Sequence, residues 1–226
     1  MKIGIVADIH GNLPALQAVL ADMPPVDLFL CCGDIVGYYP DANEVCALLR
    51  ERQAFVVRGN HDAYLTGELQ PDPTKSAPYQ IEWTRANLEA SHLRWLATLP
   101  IELKFKWGPL QLTVRHASPW DEETYLYPDS PRLAEITLEA GEILVVGHTH
   151  RPMRVEAGRG VVLNPGSVGQ PRDWNPHASY ALFETQTEAF EIIRVPYPVN
   201  EFQSRLEALG WNENLIRILS RTGRKS

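Results

Sequence analysis

Apolar positions in the first third of the chain come in short runs, and each run ends on polar residues. "KIGIVA" leads to Asp8, "VDLFLCC" to Gly33 and Asp34, and "AFVVR" to a loop, "GNHD", that begins with Gly59 and Asn60. Runs this short, rich in β-branched residues and bounded by turn formers, predict buried strands. Between them the apolar period changes to that of a helix. Leu13, Leu16, Val19 and Leu20 recur at helical spacing, with Asn12 as N-cap and Pro14 in the first turn. Asp41 and Glu44 form a capping-box pattern ahead of "VCALLRE". Strand, helix, strand, helix, strand predicts parallel pairing with right-handed crossovers.

The pattern then alters. A turn-rich stretch around residues 64–77 gives way to helical spacing at Ile81, Leu88 and Leu96. This predicts a helical insertion at about 65–98, as two helices or one broken near Ser91, placed to roof a site. The second half is strand-rich. "IELKFKW" and "LQLTVRH" meet at Gly108-Pro109, "MRVEA" and "GVVLN" flank Gly158, and "SYALFET" precedes "AFEIIRV". "EILVVGH" reads as one more buried strand. Helices at about 198–220 close the chain. No repeat or low-complexity linker divides it, so the expectation is a single domain over 1–226, a mixed α/β sandwich.

Composition narrows the class. The chain of 226 residues has 21 basic and 28 acidic residues, a net charge of −7. That balance disfavours long nucleic acid as a partner but not a small anionic substrate, because a metal can supply local positive charge. No run approaches the roughly 20 apolar residues of a membrane span, and no secretory signal is evident, so no membrane partner is expected. The three cysteines, Cys31, Cys32 and Cys46, form no C-x-x-C pair. Free thiols fit a reducing, cytoplasmic setting. The basic tail "RTGRKS" reads as a solvated end. Oligomeric state is not legible.

The candidate chemistry lies where the strands stop. Asp8 and His10, Asp34, Asn60 with His61 and Asp62, His116, and His148 with His150 all follow predicted strands. Ligands collect at such ends in open α/β sheets. Each residue alone has a plainer reading: Asp8 as a cap, Gly33-Asp34 as a turn, His116 as a satisfied histidine. Five of the chain's seven histidines at strand ends make the set hard to reconcile with scatter. In extended backbone, residues i and i+2 point to the same side, so Asp8 with His10, and His148 with His150, would each converge on one ion. Gly33, Gly59 and Gly147 would permit tight turns before the ligands. Carboxylates mixed with imidazoles suit manganese, iron, zinc, cobalt or nickel rather than calcium. Seven candidate ligands exceed one ion's needs, so two ions sharing a carboxylate are expected. Such a centre lowers the pKa of a bound water, and the hydroxide attacks phosphorus in line.

Together, Asp8-x-His10, Gly33-Asp34, Gly59-Asn60-His61-Asp62, His116 and Gly147-His148-x-His150 resemble the signature of the calcineurin-like metallophosphoesterases, over roughly residues 1–195. The resemblance is to the small bacterial and archaeal phosphodiesterase branch, whose members often carry a loop like "NPGSVGQPR" (Asn164–Arg172). It implies a four-layer α/β/β/α sandwich. It implies that Asp8, His10 and His150 bind one metal, that Asn60, His116 and His148 bind the second, and that Asp34 bridges both. His61 would contact the phosphate or protonate the leaving oxygen, with Asp62 orienting it. The implied activity is hydrolysis of phosphodiesters and possible phosphomonoesters, with manganese best supporting it, on a small phosphorylated substrate such as a nucleotide. The alternative is a silent metal-binding interaction module on the same fold. His116 is followed by Ala117 where family members often have glycine, and alanine enters left-handed backbone less readily than glycine.

Around the signature, Tyr38 and Tyr39 either stack on a nucleobase or pack, and Arg58 is a candidate phosphate contact. Arg115 should point away from the site by strand alternation. Trp83 and Trp95 should pack the helical segment.

Overall fold

The computed structural model describes residues 1–74 and 76–223. The last three residues of the basic tail lie outside this range. The first sheet begins as predicted. Strands β1 (Lys2–Val6), β2 (Leu28–Cys31) and β3 (Phe55–Val56) are parallel. They are connected through helices α1 (Leu13–Asp22) and α2 (Ala42–Glu51). Asn12 caps α1, its side chain accepting from the N–H of Ala15.

Next come α3 (Asn60–Thr66), α4 (Ile81–Asn87) and α5 (Ala90–Leu96). The insertion is therefore two helices, broken at Leu88 and Glu89, which are extended. Strands β4 (Glu102–Trp107), β5 (Leu110–Arg115), β6 (Glu142–Val145), β7 (Met153–Ala157) and β8 (Gly160–Asn164) form a second sheet in the order β4-β5-β6-β8-β7. Its three inner strands are parallel and its two edges antiparallel. Strands β9 (Ala178–Glu184) and β10 (Ala189–Val195) return to the first sheet, where β9 lies antiparallel to β1. Helices α6 (Val199–Ala208) and α7 (Glu213–Ile218) end the fold.

Side chains alternate across β1 and β2 and so build two cores at once. Ile3, Ile5, Ala7, Leu30 and Cys32 face the second sheet and meet Leu112, Val114, Val145 and Leu163. Val6, Ile9, Phe29 and Cys31 face the helices, where Leu16, Val45, Leu49, Phe202 and Leu206 cover them. The outer face of the second sheet is covered by the segment between β5 and β6. Leu126, Leu133 and Ile136 pack there on Leu144, Val146 and Val162. The layer order is α/β/β/α, with the last layer reduced to this segment and its 3₁₀ turn at Pro131–Glu135. All three cysteines are free and buried. Among the described residues no helix is long and apolar enough to cross a membrane.

Two local expectations are corrected. The Asp41–Glu44 capping box does not form, because the Asp41 carboxylate pairs instead with Arg205 of α6. "GNHD" is not a loop: Asn60, His61 and Asp62 form the first turn of α3.

Candidate metal centre

The strand-end residues converge in one buried place. Ligand atoms of Asp8, His10, Asp34 and His150 lie within 4.8 Å of one another, and so do those of Asp34, His116 and His148. Asp34 belongs to both groups. Its Oδ2 is 3.5 Å from Nε2 of His10 and 3.4 Å from Nε2 of His116. Asn60 joins the second group through Oδ1, 2.9 Å from His116 Nε2 and 3.0 Å from His148 Nδ1.

The convergence does not come from strand alternation. Asp8, His10, Asp34, His148 and His150 all have positive φ, between 53° and 66°. Each sits in the left-handed region, where Asp, Asn and His are tolerated better than other side chains. Positions held in this way cost of order 1–3 kcal/mol each and cluster at functional sites. The i, i+2 spacing therefore works through left-handed turns after the strands rather than through extended backbone. The glycine expectation also changes. Gly33 is left-handed at φ 88°, but Gly59 is not; a Cβ on Gly59 would lie 2.2 Å from both the N and Oδ1 of Asp34. Close approach of two ligand loops is what requires glycine there. Ala117 is absent from the positive-φ residues, so alanine after His116 needs no left-handed backbone.

The hydrogen bonds of the imidazoles bear on what the centre can hold. His10 Nδ1 donates to Val36 O at 3.0 Å, His116 Nδ1 to Cys32 O at 2.7 Å, His150 Nδ1 to Gln170 O at 2.6 Å, and His148 Nε2 to Glu123 O at 3.0 Å. A carbonyl partner fixes a proton on the outward nitrogen, so the neutral ring has a bare lone pair inward, as in metal-ligating histidines. Two such inward nitrogens, on His10 and His150, are 3.1 Å apart, and those of His116 and His148 are 3.2 Å apart. Lone pairs at that distance repel unless a proton or a cation lies between them. Burial holds both His10 and His150 well below 6.5, so a proton does not fill that role. Asp8 Oδ2 is buried with no partner. The donor set fits cations.

The remaining charges agree. Burial pushes Asp8 up to about 8. For Asp34 burial acts in the same sense, but His116, His61 and His10 outweigh it and hold the carboxyl well below the usual range. Burial opposes charge on His116 too, yet Asp34 raises it to about 10. A protonated His116 beside Asp34 is what balances that carboxylate here.

His61 lies beside the first group, its ring 4.8 Å from that of His10. Its Nδ1 is buried and unpartnered. Burial lowers it to about 4. Asp62 does not reach that nitrogen. Its carboxylate accepts the backbone N–H groups of Asp34, Ile35, Val36 and Gly59, at 2.9–3.2 Å, and so ties the Asp34 loop to the start of α3. The orienting role expected for Asp62 is replaced by a bracing one.

Other candidates separate. Arg58 turns to Glu122, with Nε and Nη2 on the two carboxylate oxygens at 2.9 and 3.1 Å, so its fork is already filled. Tyr39 is fully buried, donates to Leu215 O and packs on Phe202. It is a core residue, not a stacking surface. Tyr38 is nearly buried, with its ring 4.6 Å from His10 and 4.7 Å from His61. Arg115 turns to Pro119 O, away from the centre, and Trp83 packs edge-on to Trp211.

Three residues near the centre were not singled out by the sequence for these positions. Tyr79 lies 4.6 Å from the His61 ring, and Tyr125, partly exposed, lies 4.0 Å from His148. Arg172 donates to Tyr38 Oη at 3.0 Å. Only the "NPGSVGQPR" loop carried a signal for any of them.

Known proteins resemble this chain in sequence and fold. The sequence model of the calcineurin-like phosphoesterase superfamily domain matches residues 1–188. The chain belongs to that superfamily. It is 32% identical over 224 residues to an uncharacterised protein of Methanocaldococcus jannaschii, covering 90% of this chain and 91% of that one. It is 28% identical to the phosphodiesterase YfcE of Escherichia coli, covering 81% and 88%. The crystal structure of a metallophosphoesterase from Sphaerobacter thermophilus superposes with a TM-score of 0.78 at 32% identity, over 98% of both chains. This superfamily member is a hydrolase of phosphate esters that depends on divalent metal, and the buried His/Asp cluster is where metal can bind.

Proposed function

We propose that the chain hydrolyses phosphodiesters, and phosphomonoesters as a second class, at a centre of two divalent transition-metal ions. Asp8, His10 and His150 would hold one ion, Asn60, His116 and His148 the other, and Asp34 both. The observation that carries this reading is the set of four imidazoles whose outward N–H groups are fixed on carbonyls while their inward nitrogens gather around Asp34. When bound, the ions would activate water and withdraw charge from the phosphoryl oxygens, with manganese the expected activator.

The chain's own residues do the rest. The left-handed turns hold the ligands in place before substrate arrives. Asp62 fixes the distance between the Asp34 loop and α3. His61, with Nδ1 free, takes up a proton when an anion lies beside it and passes that proton to the departing ester oxygen. Tyr125, exposed beside His148 and stacked on Tyr127 at 5.7 Å, supports a substrate with a flat aromatic group, such as a nucleotide.

The test is turnover of bis- and mono-p-nitrophenyl phosphate with and without manganese, beside elemental analysis. Two metal equivalents with diester turnover are expected. Two bound metals and no turnover of either ester would overturn the reading. A panel of cyclic nucleotides and dinucleoside polyphosphates then ranks the natural substrates.

A further inference from the structure

Arg172 is placed unlike two other partly buried arginines. Arg58 and Arg194 each spend their charge on a carboxylate, Glu122 and Asp173. Among the described residues, Arg172 has no carboxylate within ion-pair distance. Its bonds go to neutral oxygens: Nη2 to Tyr38 Oη at 3.0 Å and to Gln170 Oε1 at 2.8 Å, and Nε to Gln170 Oε1 at 3.2 Å. Nη1 keeps both of its N–H groups for something else.

The bracket around it is firmly built. Tyr38 is left-handed at φ 58°; its N–H donates to Tyr79 O at 2.9 Å, and its own carbonyl accepts from Trp211 Nε1 at 2.7 Å. Gln170 donates from Nε2 to Tyr39 Oη at 3.0 Å, and its carbonyl accepts from the metal-group residue His150 at 2.6 Å. The N–H of Arg172 donates to His150 O at 3.2 Å. The guanidinium is thus tied to the Tyr38 hydroxyl, whose ring lies against His10 and His61. Its charge reaches Asp8, His10, His61 and His150.

A cation held by neutral groups beside a site that itself takes cations is repelled by them. The arrangement is favourable only with an anion between the two. The guanidinium fork matches two oxygens of a phosphate group, and such charge-assisted pairs are the strong ones.

We infer that Arg172 is a substrate-binding residue that grips non-bridging oxygens of the phosphate group, with Tyr38, Gln170 and, through Trp211, the C-terminal helices as its positioning frame. This rests on the phosphoesterase reading above and adds an anion contact to it. It also gives Tyr38 a different task from stacking on a base.

The experiment measures the affinity of inorganic phosphate for the manganese-loaded protein by calorimetry, and its competitive inhibition of diester turnover. Arg172→Gln should keep the wild-type metal content and weaken phosphate by roughly ten- to a hundredfold, the range for a lost charged hydrogen bond. Arg172→Lys, which keeps the charge without the fork, should fall between. Unchanged phosphate affinity within about twofold, or loss of metal from Arg172→Gln, overturns the inference. Should Arg172→Gln not fold, Tyr38→Phe removes one of the two oxygens that hold the guanidinium; it should weaken phosphate several-fold, and wild-type affinity in it is equally fatal. Phosphate affinity is read without turnover, so an inactive wild type counts against the catalytic reading and leaves the Arg172 result decisive in its own right.

Discussion

At the residue scale the question is which side chains touch the reaction and which hold others in place. His61 and Asp62 are neighbours with opposite fates. The His61 ring is packed against His10, Tyr38 and Tyr79 with Nδ1 unpartnered. Asp62 spends its carboxylate on four backbone N–H groups. His61→Ala should therefore leave the metal content unchanged. It should lower kcat by roughly 10²–10⁴ for an ester with a poor leaving group, the range for a lost general acid, and by less for p-nitrophenolate, which departs without a proton. Plotting kcat against leaving-group pKa for both proteins checks this. Parallel lines, or metal lost from the variant, would show that His61 is not the acid. The types and chain order of these residues were legible in the sequence. Their division of labour was not, because nothing in "GNHD" says that the Asp34 loop runs past the start of α3 close enough for Asp62 to collect its N–H groups.

At the scale of elements, the strand–helix alternation was readable because apolar period alone sets it: β1, β2 and β3 pair in parallel, and Asn12 caps α1. Local rules failed where a distant segment competed. Asp41 makes no side-chain cap bond to α2, because Arg205, far along the chain, pairs with its carboxylate. The period-two argument for Asp8 and His10 assumed the wrong backbone, since both are left-handed, although their side chains do meet. A strained ligand loop needs bracing, and Asp62 supplies it between two elements. Asp62→Asn turns one acceptor oxygen into a donor facing buried N–H groups. It should lower stability by about 1–3 kcal/mol in urea unfolding and reduce the metal retained after dialysis. Wild-type stability together with wild-type metal content would show that the brace is dispensable.

At the scale of the whole molecule, two sheets and their helices bring together a buried set of acids and histidines whose protonation must balance when no metal is bound. Burial lowers His61 to about 4 and His148 to about 3, and lowers His10 and His150 as well. Groups depressed from 6.5 contribute stability above that pH and lose it as pH falls towards their folded values. Asp8, raised by burial to about 8, and His116, raised to about 10 by Asp34 against the effect of burial, act in the other direction. Their contribution is complete below the unfolded values, 3.8 and 6.5, and is lost as pH rises through 8 and 10. The metal-free protein should thus be most stable near neutrality, with a urea midpoint that declines from about pH 7 to 9 as the four lowered histidines cease to contribute a slope. On the proposed ligand set, metal would displace the protons of Asp8 and His116, so loaded protein should show a much flatter profile over that window and metal affinity should rise with pH. Urea titrations of both forms at several pH values check this. His116→Gln should remove most of the alkaline decline from the metal-free protein. A metal-free midpoint that is level across the window would mean that the ion pair of His116 with Asp34 does not stand in for the cation.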